Sequence, residues 1–515
     1  MATDDRLILV PGELPFSDLH AFWRQPKPVE IAPSAWGAVE ASAETVARIV
    51  AEDQRVYGVN TGFGILAKHS ISQDQVHELQ RRLVLSHCAG VGEPLEPGVV
   101  RLVMLLKAGS LARGYSGIRK SVIELLVNLL NADACPVIPS QGSVGASGDL
   151  APLAAMSAVL IGEGEVLLKG ERLPGGEALA RLGLEPVILE AKEGLALLNG
   201  TQVSTALALD GLFRGLDVFA AALYAGAMSV DAALGSDTPF DPRIHEIRGQ
   251  LGQITVAGWL RRLLDGSRIR TSHLECDRVQ DPYSLRCQPQ VMGAAYDLIG
   301  QAAGMLAREA NAVSDNPLVF SESGEILSGG NFHAEPVAFA ADMLALALSE
   351  VVALSERRVA LLTDAHMSSL PAFLIAEPGL NSGFMIAHIT AAALAAETKT
   401  LATPAVVDSL PTSANQEDHV SMATHGARRL RAMTVNAANV VAIELLASAQ
   451  GIDLRAPLAT APELAKAHRA IRERAATLID DRPFSPDVQK IADLVVEGFF
   501  YDGLWPNSEA DLVLP

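Results

Sequence analysis

Gly142-Ser143-Val144-Gly145-Ala146-Ser147-Gly148-Asp149 is the stretch on which the reading of this chain turns. Its centre, Ala146-Ser147-Gly148, can react with itself. Glycine lacks a Cβ and reaches φ values closed to other residues. A tight bend there can press the Gly148 backbone nitrogen onto the Ala146 carbonyl carbon. Ring closure with loss of one water gives a five-membered imidazolone, and loss of a second turns Ser147 into an exocyclic methylene. The product is an electrophile that no ordinary side chain supplies, able to attack an amine or an electron-rich ring without an external cofactor. The simpler reading is a Gly/Ser turn entering a helix, with Ser147 or Asp149 as N-cap. A phosphate-cradling loop would end in Gly-Lys-Ser/Thr, which is absent. A hydrolase nucleophile elbow needs Gly-x-Ser-x-Gly, and Asp149 stands at the last glycine position.

The rest of the chain discriminates among these. At 515 residues it is long enough for more than one domain, and its net charge of -20 disfavours nucleic acid or an anionic membrane surface as partner. The cysteines, Cys88, Cys135, Cys276 and Cys287, are sparse and lack metal-type spacing, which predicts reduced thiols in a cytoplasmic protein. The opening MATDDRLILV does not have the form of a signal peptide, and the apolar run 218–230 is too short to span a bilayer. Positive mean hydropathy without a span suggests apolar surface buried between subunits.

Segments rich in Ala and Leu read as helices over 100–111, 123–130, 202–234, 337–358, 382–401 and 427–450. Several are apolar nearly all round, as buried bundle helices are. Strand-like alternation is confined to 6–10, 165–173 and 318–326, with no regular alternation of strand and helix, so a doubly wound sheet is not expected. The expectation is a mainly α protein, with a smaller mixed N-terminal domain over 1–200 and a helical domain over 201–515.

Polar or glycine-rich stretches at 57–64, 141–149, 278–290, 328–336 and 408–422 interrupt this background, and such loops are where binding and catalytic groups concentrate. Tyr57 lies on a glycine-rich loop and reads either as a packed turn residue or as a general base with a lowered pKa. In QDPYSLRCQPQ, Arg286 can grip a carboxylate through parallel hydrogen bonds or form a structural ion pair. Asn199 reads by itself as a turn residue before Gly200, Phe332 as a core aromatic, His87 as a satisfied helix histidine, and Glu417 as a solvated acid.

GSVGASGD and its continuation LAPLAAMS resemble the prosthetic-group loop of the aromatic amino acid ammonia-lyases, where the Ala-Ser-Gly triad becomes methylidene-imidazolone (MIO). The other motifs follow in the family's order along essentially the whole chain. The resemblance implies a long-helix bundle of the fumarase/aspartase-like type. It implies MIO formed from Ala146, Ser147 and Gly148, with no external cofactor and no metal. It assigns Tyr57 as proton acceptor, Arg286 as carboxylate binder, and Tyr283 and Gln280 to the neighbourhood of prosthetic group and substrate. Asn199 would hold the electrophile or the substrate amine, and Phe332 would wall the site. Asp149, beside Gly148, is a candidate helper of ring closure.

Substrate choice is expected at Ser86-His87, which is Ser-His in histidine-specific members and Phe-Leu or His-Leu in phenylalanine and tyrosine enzymes. Glu417, in SANQEDHVSM, matches the same branch, where a carboxylate can orient an imidazole. The implied reaction converts L-histidine to trans-urocanate and ammonia, the first step of histidine degradation, in a cytoplasmic homotetramer with sites shared between subunits. The rivals are a phenylalanine or tyrosine ammonia-lyase, an MIO aminomutase, a fumarase-type lyase without MIO, and a non-catalytic helical assembly protein.

Overall fold

The Ala/Leu-rich segments fold as helices, because these residues lose little side-chain entropy in the helix and their apolar faces have neighbours to bury against. The computed structural model describes residues 6–52, 56, 75–274 and 279–505. Its long helices are Gln202–Ala232, Gln288–Ala310, Glu335–Thr363 and Ala423–Asp453. Shorter ones at Pro97–Leu111, Lys120–Asn131 and Met385–Leu401 also fall where the sequence places them. Helices Glu335–Thr363 and Ala423–Asp453 are long and apolar enough to cross a membrane, but their most apolar windows are 72% and 83% buried within the protein.

The chain divides into two compact units. The first gathers Met1–Asp210, Gly304–Asp342 and Pro404–Arg428; the second gathers Gly211–Ala303, Met343–Thr403 and Arg429–Pro515. In the second, Arg358 and Glu444 are fully buried and paired in fork geometry, Nε to Oε1 at 2.5 Å and Nη2 to Oε2 at 2.9 Å. Ser229 and Ser355 donate to the same carboxylate at 2.8 and 2.6 Å. A buried charge pair is tolerable only when its remaining lone pairs are satisfied in this way.

The first unit holds the short strands. Leu7–Leu9 pairs parallel with Val29–Ile31, and Val91–Pro94 pairs antiparallel with Pro139–Gln141. Ala134–Pro136, Glu165–Leu168 and Glu171–Pro174 form a three-stranded antiparallel sheet, and Leu318–Phe320 returns through a turn at Gly324 to Glu325–Leu327. Helices Val76–His87, Leu150–Leu160 and Glu193–Leu198 meet through a core of Leu83, Ala154, Leu195 and Leu198, with Leu150 against it. This core fixes both the end of the first helix, where His87 sits, and the start of the second, where the loop 142–149 ends. Leu83→Ala is expected to cost about 2–4 kcal/mol through lost burial and the cavity left behind, read as a lowered Tm with m-value unchanged.

Candidate active site

The loop 142–149 joins strand Pro139–Gln141 to helix Leu150–Leu160. It bends through Gly142, Gly145 and Gly148, whose φ angles are 137°, 66° and 73°. At Gly148 the glycine is required twice over. Its φ is left-handed, and a Cβ there would overlap the backbone of Gly200, with which Gly148 forms a parallel bridge.

Three other segments of the same unit grip the loop. Asp149 N donates to Gly200 O at 2.8 Å. Ala334 N and Ser421 Oγ donate to Gly145 O at 3.2 and 2.9 Å, and Met422 N donates to Val144 O at 2.8 Å. Ala146 and Gly148 are buried, whereas Ser147 is half-buried and donates from Oγ to Glu417 Oε1 at 2.6 Å. Burial pulls the Glu417 carboxyl upward. Hydrogen bonds from Ser147, Thr412 and Ser413, with the charge of the His87 imidazole, outweigh that and hold it below its ordinary value.

Asp149 occupies the N-cap position of helix Leu150–Leu160, but its side chain makes no cap hydrogen bond. Its carboxylate is fully buried and points back at the loop and its supports. Oδ1 accepts from Ser143 Oγ at 2.8 Å and Thr424 Oγ1 at 2.6 Å, and Oδ2 accepts from Ser204 N at 2.7 Å and Ser204 Oγ at 2.9 Å. Asp149 is thus the N-cap by position, its carbonyl accepting from Leu153 N at 3.0 Å, while its side chain holds the bend instead of capping the helix. On the far side of Gly200, Thr201 Oγ1 donates to the Glu309 carboxylate at 2.5 Å, and Lys107 Nζ donates to Asn199 O at 2.5 Å.

Asn199, buried at the end of helix Glu193–Leu198, enters this arrangement through its backbone; its side-chain amide lies 3.4 Å from Leu195 O. His87 ends helix Val76–His87, with Nδ1 2.8 Å from Leu83 O. A carbonyl only accepts, so that contact puts a proton on Nδ1, and Nε2 is an acceptor in the neutral form of the ring. Phe332 is half-buried two residues before Ala334. Gln280, Tyr283 and Arg286 belong to the second unit. There Tyr283 is 70% exposed, the Arg286 guanidinium lies 4.7 Å from its ring centre, and Arg286 Nε is buried without a hydrogen-bond partner among the described residues. Tyr57 lies outside the described residues. Among those described, no group of His, Cys, Asp and Glu side chains is placed to hold a metal ion.

Sequence reasoning missed Lys107, Gly200, Ser204, Ser421 and Thr424. Lys107 carried a usable signal, as a cation within the apolar run 102–108 of its helix. The others are small polar or glycine residues of a kind found throughout the chain.

The family model described as aromatic amino acid lyase matches residues 14–473. The histidine ammonia-lyase of Burkholderia mallei (strain NCTC 10229) is 60% identical over 494 residues, 96% of this chain and 97% of the relative. That of Burkholderia orbicola (strain MC0-3) is 59% identical with the same coverage. Among solved structures, histidine ammonia-lyase from Trypanosoma cruzi is similar with TM-score 0.91 and 39% identity, covering 99% of this chain and 97% of that one. Tyrosine aminomutase from Streptomyces globisporus is similar with TM-score 0.92 and 34% identity, covering 99% and 100%. With the glycine-bent Ala146-Ser147-Gly148 loop at its centre, the chain belongs to the aromatic amino acid lyase family.

Proposed function

We propose that this protein deaminates L-histidine to trans-urocanate and ammonia, as the first step of histidine degradation. The observation that carries the reading is Ser147, set in a glycine-bent loop with its hydroxyl on Glu417 and with His87 close enough to bias that carboxylate. The residues fit an MIO group. Positive φ at Gly145 and Gly148 makes the bend, Ala146 and Gly148 are buried away from competing water, and the Ser147 oxygen to be lost is already hydrogen-bonded. Once formed from Ala146, Ser147 and Gly148, MIO would supply the electrophile that the amine or the imidazole needs.

The chain's own residues do the rest. Arg286 grips the substrate carboxylate, a task that suits the planar fork of a guanidinium. Its stacking on Tyr283 restricts the guanidinium plane. His87 Nε2 accepts the N–H of the substrate ring, and ionised Glu417 orients that ring from the other side. Tyr57 takes the β-proton, with Tyr283 assisting, while Asn199, Gln280 and Phe332 hold and wall the site. Exposed Leu380, Ile386 and Ile389 suit burial against further copies, in line with a homotetramer that shares its sites between subunits. Free Cys88, Cys135 and Cys287 suit a cytoplasmic setting.

The test is direct. Purified protein mixed with L-histidine and no added cofactor should give a steady near-ultraviolet rise from the ring-conjugated product. The likeness to a tyrosine aminomutase makes aromatic substrates the second reading, and a rise with tyrosine or phenylalanine instead would favour it. His87→Leu is expected to lower kcat/KM for histidine about ten- to a hundredfold, the loss of one well-made hydrogen bond, with little change in Tm because the side chain is only partly buried. Unchanged histidine kinetics would remove His87 from substrate recognition.

A further inference from the structure

Lys107 is a charged residue that the proposed chemistry leaves without a task. It lies in helix Pro97–Leu111 among Val103, Met104, Leu106 and Ala108, and is itself 1% exposed. Burying a lysine in such a place is costly, and a methionine would fill the same space without that cost. What Lys107 adds is a donor, since Nζ reaches Asn199 O at 2.5 Å.

The next residue, Gly200, is the one against which the reactive loop is pressed. It bridges to Gly148, accepts the Asp149 amide at 2.8 Å, and leaves no room for a Cβ on Gly148. Lys107 therefore stands one peptide away from the contact that fixes Gly148. Its bond to Asn199 does not depend on its charge. Burial pulls the amine down to about 7 against the opposing pull of Asp315, and a neutral amine still donates. Nor is its partner simply Asp315, which is paired with Lys192 at 2.7 Å.

We infer that Lys107 is a positioning residue for self-cyclisation of the loop: it clamps the Asn199–Gly200 peptide so that Gly148 N is held on the Ala146 carbonyl carbon. The inference rests on the reading that Ala146-Ser147-Gly148 forms MIO. In that reaction the Gly148 N to Ala146 C bond forms. The Ala146 oxygen leaves as water with the Gly148 and Ser147 amide protons, and a second water takes the Ser147 hydroxyl and its α-proton. No oxidant or reductant is needed. Both losses depend on near-contact geometry, where displacement by about 1 Å costs up to roughly a hundredfold.

The experiment compares full-length wild type, Lys107→Met and Val103→Ala, a cavity in the same helix that spares the donor. Each is isolated as folded assembly. The loop peptide is then weighed for loss of two waters, and the native protein is scanned for the MIO absorbance. Wild type and Val103→Ala are expected to be cyclised, and Lys107→Met to be cyclised at least about tenfold less. Lys107→Arg, which restores a donor, should recover part of the loss. If Lys107→Met does not assemble, Lys107→Leu is read in the same way. A folded Lys107→Met chain as fully cyclised as Val103→Ala overturns the inference. An unmodified wild-type peptide would instead overturn the MIO reading itself.

Discussion

Ser147→Ala is expected to lower turnover of histidine roughly 10³-fold or more while leaving the fold intact, the scale seen when an enzyme loses the group its covalent chemistry depends on. On the proposed MIO chemistry the second dehydration removes the Ser147 hydroxyl, so an alanine can close the ring at most and never yields the methylene. The structural cost is small by comparison. Ser147 is half-buried, and the change removes one oxygen and one hydrogen bond, to Glu417, worth about 1 kcal/mol. Glu417 keeps the Thr412 hydroxyl at 2.6 Å, so its carboxylate is not left bare. Kinetics, the mass of the loop peptide and a thermal melt on the same preparation separate the two effects. A variant that turns over histidine at the wild-type rate would end the MIO reading.

The loop was legible because its signal is local. Three glycines within seven residues announce the bend, and each of them sits at positive φ. The long helices were legible because Ala/Leu-rich segments such as Gln202–Ala232 extend well beyond the length of any strand. The strands Val29–Ile31, Val91–Pro94, Ala134–Pro136 and Pro139–Gln141 were not, being three or four residues long and mostly interrupted by proline, too short to show alternation. The supports of the loop were hidden for a different reason. Thr424 bonds to Asp149 across 275 residues of sequence and Ser421 to Gly145 across 276, and no spacing rule links a threonine or serine to so distant a partner. His87 and Glu417 could be named only through a family resemblance. Both belong to the unit that carries Ser147, and Glu417 touches its hydroxyl.

Asp149→Ala should damage both stability and ring formation, and the two losses have one origin. The carboxylate is fully buried and gathers donors from three parts of the chain: Ser143 in the loop, Ser204 at the head of helix Gln202–Ala232, and Thr424 at the head of helix Ala423–Asp453. Alanine leaves the Ser204 amide and the Thr424 hydroxyl without their acceptor, while the Ser204 hydroxyl keeps Thr201 O at 3.0 Å, and it withdraws a negative charge that favours the protonated form of Lys107. Orphaned buried donors of this kind cost about 1–3 kcal/mol each, less what water entering the space recovers, so a net loss of about 3 kcal/mol or more is expected. The same change frees the residue next to Gly148, so cyclised loop should fall by about a hundredfold, as expected when near-contact geometry slips. Asp149→Asn, which keeps the volume and one accepting oxygen, should lie between alanine and wild type on both scales. Thermal denaturation and the loop-peptide mass measure the two losses independently. If Asp149→Ala melts early yet carries a fully dehydrated loop with the normal MIO absorbance, the carboxylate serves packing alone, and the bend would have to be held by Gly200 and Ser421 without it.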